Sequence, residues 1–292
     1  LISKPNYTNI NNNLKLGEYG MEIDPNNKLL IILQQGLLNI VYKEDLIIIQ
    51  SELILPAYTY TKNFGYSVAL SKFNTNNEIL MCVSAIDEVN GYIRTYNLTV
   101  INTNRNKYID IVDLNKDING NSISEVFTND DFEFGRNIQL SENGEILIVG
   151  SDVHDTGNVT NSDLSYDKRG SLIVFNYMND NWVYNNKIEG DNTSDRLSRY
   201  LSTDKTCNLL AFITDFSTDI KITRLDTTYF AFEDFENSDY ATDLLPLLQT
   251  NGELTIPGDI NYININNTGT EIIIYYLING YYQIKLLRFE KH

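Results

Sequence analysis

Short apolar runs punctuated by polar turns recur along the chain, and no run keeps the i, i+3, i+4, i+7 spacing of a helix over three turns. Five runs are apolar at almost every position: Lys28 to Leu33, Glu78 to Ala85, Glu145 to Ser151, Leu209 to Ile213 and Glu271 to Tyr276. A strand of that kind is covered on both faces. Each is preceded by a shorter strand-like segment and a tight turn. The turns include Asp24-Pro25-Asn26-Asn27, Glu142-Asn143-Gly144 and Asn267-Thr268-Gly269, whose residues take positive φ cheaply and suit a hairpin. A third strand follows each run, often after a glycine. The elements predicted are therefore all β, in antiparallel hairpins.

The hairpins are copies of one unit. Phe64-Gly65 opens a strand to Ser71, then Glu78 to Ala85, then Gly91 to Tyr96. Phe134-Gly135 opens the same series, through Glu145 to Ser151 and Gly170 to Phe175. Weaker copies begin at Tyr19-Gly20, Leu197-Ser198 and Ile260-Asn261. A fourth strand follows in the better copies, over Leu46 to Leu55, Ile109 to Leu114 and Trp182 to Ile188. Spacing of this order is that of a propeller blade. The last copy stops after its third strand, while Tyr7 to Leu16 precedes the first complete copy. The expected fold is a five-bladed β-propeller of four-stranded antiparallel blades, its ring closed by the N-terminal strand. Residues 1–18 would be the outer strand of the last blade, and the blades would span 19–63, 64–133, 134–196, 197–259 and 260–292.

The phrasing aromatic-Gly-x-Ser-Val-Ala-Leu-Ser, then Ile-Leu-x-Val-Gly-Ser, then Gly-x-Ile-x-Val-aromatic resembles the FG-GAP repeat of integrin α-subunit propellers. The positions that carry it are Gly20, Phe64, Gly65, Phe134, Gly135, Gly150 and Gly170. The resemblance implies a propeller fold and, in the family, calcium-binding turns between the first and second strands. Those turns here, Ser71 to Asn77, Ser141 to Gly144 and Ser202 to Lys205, lack three carboxylates, so the calcium-free variety is expected, with no metal or cofactor. Asp113 to Gly120 alternates oxygen-bearing residues but misplaces the glycine and glutamate of a calcium loop, and reads as an ordinary polar turn.

Composition narrows the partners. The formal net charge of −17 disfavours phosphate backbones and anionic lipid, so nucleic acid is not an expected partner. No stretch approaches the roughly 20 apolar residues of a membrane-spanning helix. Cys82 and Cys207 stand in non-adjacent copies, without metal-ligand spacing, and no disulfide is expected. Sequons at Asn6, Asn97, Asn158, Asn192 and Asn266 follow from the abundance of Asn. The chain starts at Leu1, which suggests a removed leader or a piece of something longer.

Catalytic signatures are sparse. His154 and His292 are the only histidines, and no nucleophile elbow, zinc-binding or phosphate-cradling motif occurs. Asp87, Asp152 and Asp215 each follow the second strand of a copy and Asp155 lies close by; together they could ring a glycosidase mouth. Loops on rigid scaffolds carry contacts, which adds Tyr229 and Phe232, in an aromatic and acidic stretch, as contact candidates. The expected function is non-enzymatic: a binding or structural propeller presenting loops to a protein, or to a glycan, at a cell surface, outside the cell or in an assembly such as a virion. A carbohydrate-active enzyme with clustered carboxylates is the alternative.

Overall fold

A computed structural model describes residues 20–26, 28–34, 37–42, 47–53, 64–86, 91–102, 107–119, 132–153, 170–190, 200–213, 219–226, 231–233, 253–255 and 259–288. These residues form twenty strands in five antiparallel sheets, with no helix among them. Sheet one is β1 (Met21–Ile23), β2 (Leu29–Gln34), β3 (Leu37–Tyr42) and β4 (Ile47–Leu53). Sheet two is β5 (Phe64–Leu70), β6 (Glu78–Ala85), β7 (Tyr92–Asn102) and β8 (Lys107–Asn119). Sheet three is β9 (Phe132–Leu140), β10 (Ile146–Val153), β11 (Ser171–Met178) and β12 (Asn181–Glu189). Sheet four holds β13 (Tyr200–Thr203), β14 (Leu209–Ile213) and β15 (Asp219–Asp226), and its outer edge is shared by β16 (Ala231–Glu233) and β17 (Glu253–Thr255). Sheet five is β18 (Asp259–Ile265), β19 (Glu271–Ile278) and β20 (Tyr281–Arg288). Strand order follows chain order in every sheet.

The nearly unbroken apolar runs are the second strands, and their burial shows why. Along β6, Ile79, Met81, Val83 and Ala85 pack toward sheet one, while Cys82 packs toward sheet three. On β10, Leu147 and Val149 face sheet two and Ile146 and Ile148 face sheet four. On β14, Leu210 and Phe212 face sheet three and Leu209, Ala211 and Ile213 face sheet five. Because side chains alternate along a strand, one strand serves two cores. Four apolar clusters thus join the five sheets in succession, each buried Leu, Ile or Val contributing roughly 1.5–3 kcal/mol. Among the described residues no cluster joins sheet five to sheet one. There the outward face of sheet one shows Met21 at 55% and Ile23 at 47% exposure, and that of sheet five shows Tyr262 at 52% and Ile273 at 44%.

The Phe-Gly pairs mark bulges in the first strands. Phe64 pairs with Ala85, yet the ladder resumes only at Val68 opposite Val83. Phe134 pairs with Ser151 and Asn137 with Gly150. The extra residues loop out at Gly65 (φ 93°) and Gly135 (φ 88°), a backbone region that costs glycine nothing. A Cβ on Gly135 would also stand 2.9 Å from the Cβ of Ser84 in sheet two. Phe64 and Phe134 are fully buried at these joints. In sheet five Ile260-Asn261 occupies the same place, and the register still shifts between Ile260 and Tyr262.

One expectation is corrected. Asp113 to Asn119 is not a polar turn: β8 pairs with β7 through to Asn119, absorbing a bulge after Asp113. An outer strand has a face open to water, so a polar run can still pair. The Asp113 carboxylate accepts from Arg94 Nε at 2.7 Å and Nη2 at 2.5 Å, which leaves no calcium loop there.

Candidate functional site

The first strands of all five sheets, β1, β5, β9, β13 and β18, line one cavity of about 410 Å³. Val68, Leu70, Ile138, Leu140, Leu201 and Ile263 give it apolar stretches; Glu22, Ser67, Gln139, Thr203, Tyr262 and Asn264 give it polar ones. Several polar groups tie neighbouring sheets together. Thr203 Oγ1 donates to Gln139 Oε1 at 3.4 Å, and Ile265 N–H donates to Ser202 Oγ at 2.9 Å.

The turns after these strands share one construction. In each, a side-chain oxygen takes backbone N–H groups four or five residues on: Asp24 from Lys28 and Leu29, Ser141 from Ile146, Asp204 from Asn208 and Leu209, Asn266 from Thr270 and Glu271. In the longer turn of sheet two, Asn74 takes Glu78 N–H and Ser71 takes Leu80 N–H. The next residue in each turn then reaches the following sheet. Lys72 N–H donates to Glu142 O at 2.8 Å, Glu142 N–H to Lys205 O at 2.6 Å and Lys205 N–H to Asn267 O at 3.3 Å. The corresponding residue of sheet one is Pro25, which has no N–H to give. The Glu142 carboxylate sits between Lys72 Nζ (3.6 Å) and Lys205 Nζ (3.4 Å), a surface arrangement that contributes at most about 1 kcal/mol.

Glu22 differs from everything around it. Two residues before the turn oxygen the five copies carry Glu22, Ala69, Gln139, Ser202 and Asn264, so only the first places a charge there. The register sets Glu22 opposite Ile31, on the face toward sheet two. Burial raises its carboxyl to about 7.

A second concavity, about 570 Å³, lies between sheets three and four. Ile146, Tyr177 and Met178 wall it, with Glu142, Asn143, Glu145, Thr206, Asn176 and Asn208. Met178 is 55% exposed, and Asn176 only 7%. The buried side-chain oxygens Asn176 Oδ1 and Asn208 Oδ1 have no hydrogen-bond partner. The Tyr177 hydroxyl is raised by burial and by neighbouring Asp180.

Of the residues singled out from the sequence, Gly20, Phe64, Gly65, Phe134, Gly135, Gly150 and Gly170 all lie in or beside first, second and third strands at the sheet joints. Asp152 lies on β10 and Phe232 on β16, an outer edge of sheet four. Asp87, Asp155, Asp215, Tyr229 and His154 fall outside the described residues. Cys82, on β6, and Cys207, in the turn between β13 and β14, are buried and form no disulfide. Burial pushes both thiols up to about 12, which keeps them from acting as thiolates at neutral pH. Among the described residues no group of three or more His, Cys, Asp or Glu could hold a metal ion. No described helix is long and apolar enough to cross a membrane. Sequence reasoning missed Glu22, Asn176 and Asn208. Aligning the copies from the turn oxygen backward would have exposed Glu22 as the odd charge.

The sheets arranged about a shared cavity define a propeller-like, all-β protein. No protein-family model matches the chain, and no curated protein sequence matches it. Solved structures with a similar course include the complex of KlAtg21 with the coiled-coil of AgAtg16, at 12% identity over 92% of this chain and 70% of that one, with a TM-score of 0.46. The β-propeller domain of Cps50 (Swd1) from Myceliophteria thermophila matches at 10% identity over 91% and 82%, with a TM-score of 0.44. Hydrazine synthase from Kuenenia stuttgartiensis matches at 9% identity over 97% and 98%, with a TM-score of 0.40.

Proposed function

We propose that the chain is a non-enzymatic protein-binding propeller of the FG-GAP type, five-bladed and closed as a ring. The observation that carries the binding role is the groove between sheets three and four. Two amide oxygens at its floor, buried and without a partner among the described residues, would gain donors if the groove opened around a ligand, and an exposed methionine, adaptable in shape, stands at its wall. An extended polypeptide supplies N–H groups and apolar side chains together. Selection of a random peptide library on the protein is expected to yield ligands whose affinity drops about tenfold or more in Met178→Glu and in Asn176→Leu. Ligands that bind both variants as well as the parent protein would end this reading. The secreted, cell-surface or virion setting and the glycan alternative belong to the same proposal, resting on the acidic surface and loop-rich repeats.

Ring closure is the second part of the proposal. The apolar faces of sheets one and five need a cover, and β20 has no neighbour on its outer edge among the described residues. In sheets one to four the fourth strand leads on to the first strand of the next sheet. By that rule, residues 7–16, which precede β1, pair with β20. Deleting residues 1–16 should lower the melting temperature by roughly 5–10 °C and promote self-association. An unchanged melting temperature in a monomeric truncated protein would exclude N-terminal closure.

A further inference from the structure

We infer that the cavity shared by the five first strands is a binding site for a small alkylammonium ion, with the Glu22 carboxylate as its counter-ion. This inference stands apart from the groove and its peptide ligand. It rests on three features of the cavity. At about 410 Å³ it is far larger than the roughly 30 Å³ share of one water. Its wall is mostly polar, with the exposed apolar side chains of Met21 and Ile23 beside Glu22, and so suits a small charged ligand with a short apolar part. And Glu22 lines it as a half-buried carboxylate with no hydrogen bond or ion pair to any described residue, although carboxylates drawn out of water are ordinarily paired.

The other ionisable groups on the wall are already engaged or stand apart from Glu22. Asp24 accepts from its own turn, Asp204 accepts from Asn208, Leu209 and Thr206, and Lys205 pairs with Glu142. Tyr262 OH accepts from Asn264 Nδ2 at 3.2 Å. The lining residues of β5 and β9 carry no charge. So among the described residues no cation neutralises Glu22.

The chemistry of the wall selects the class of cation. A single carboxylate with neutral oxygens cannot replace the six to eight oxygens of a calcium shell. An ammonium group needs three acceptors, and Glu22 supplies the charged one; Ser67 on β5 and the second lone pair of Gln139 Oε1, which already accepts from Thr203, are neutral oxygens on the same wall. The exposed side chains of Met21 and Ile23, which also line the cavity, would cover an alkyl stem. A neutral polyol would leave the carboxylate uncompensated.

Burial, which raises the Glu22 carboxyl to about 7, makes the coupling to pH explicit. Below that value the group is largely protonated and holds no cation. Unfolded, the same carboxyl titrates near 4.5, so folding stability is lost as pH climbs from about 4.5 through about 7. A bound ammonium favours the ionised form and restores stability above pH 7.

The test is calorimetric titration of the whole protein with n-butylammonium chloride, with n-butanol and potassium chloride as controls. One saturable site is expected near pH 8, at least about tenfold weaker near pH 5.5, together with a rise in melting temperature near pH 8. Glu22→Gln keeps the side chain's shape and loses the pH-dependent penalty, so it should fold at least as well while losing the site. Glu22→Asp should bind more weakly. Equal binding by Glu22→Gln, equal binding of n-butanol, or no saturable heat from the folded parent protein would each overturn the assignment. None of these outcomes bears on the groove variants, which keep the cavity wall intact.

Discussion

Replacing Gly91 by alanine should destabilise the protein by about 3 kcal/mol, near the upper range for an overfilled core. Gly91 immediately precedes β7, and the two nearest of the three atoms a Cβ would meet are backbone. The three are the Phe134 carbonyl oxygen, in outright overlap, its carbonyl carbon at 2.8 Å and its Cβ at 3.0 Å. None can swing aside, because Phe134 is fully buried and its strand is hydrogen-bonded to β10. Relief requires sheets two and three to part, which opens the cluster containing Ile93, Phe134, Ile138 and Phe175. Gly280 provides the comparison. Its φ is +80° and a Cβ there meets nothing within 4 Å, so Gly280→Ala should cost only the left-handed backbone term of about 1–2 kcal/mol. Urea unfolding of the two variants separates collision from strain; equal costs would show that the joint between sheets two and three yields.

The second large effect is expected at Asp24. Its carboxylate is 1% exposed and accepts three backbone donors, Asn26 N–H at 2.9 Å, Lys28 N–H at 2.6 Å and Leu29 N–H at 2.5 Å. Asp24→Ala strands the buried donors and should cost about 3 kcal/mol. Asp24→Asn should recover much of it, since Asn266 performs the same task in sheet five. Ser141→Ala, which leaves Ile146 N–H without its side-chain acceptor, should cost about 1 kcal/mol. Thermal melts of the three variants rank them, and a Ser141 effect as large as that of Asp24 would contradict the counting of donors.

The repeat was legible because two periods coincide in it. Runs such as Ile79 to Ala85 and Leu209 to Ile213 are apolar throughout, since each strand feeds two cores, and the hairpin turns between them name themselves by Asn and Gly. The Phe-Gly pair was readable as a joint, but its reason, a bulge that brings Gly135 against Ser84, lies in contacts between residues far apart in the chain. Asp113 to Asn119 misled because local polarity speaks for a turn, whereas an outer strand pays no penalty for polar side chains. The candidate sites were hidden for a different reason. Glu22, Asn176 and Asn208 are ordinary residues on ordinary strands and turns, and only their missing partners distinguish them. Missing partners are a property of three-dimensional neighbours; spacing along the chain marks Glu22 as the odd charge among the copies but carries no trace of Asn176 or Asn208.

The four successive apolar clusters make the molecule, energetically, a row of nearest neighbours. Among the described residues, sheets two, three and four are each held from both sides, sheets one and five by one cluster apiece. Pro25 sharpens the difference, since it withholds from sheet one the turn-to-turn bond that links two to three, three to four and four to five. Local opening should therefore travel inward from the first sheet, and amide protons on β6 and β10 should be the last to exchange with solvent. The same sheet carries Glu22, so the least tethered wall of the cavity is also the one that bears its charge.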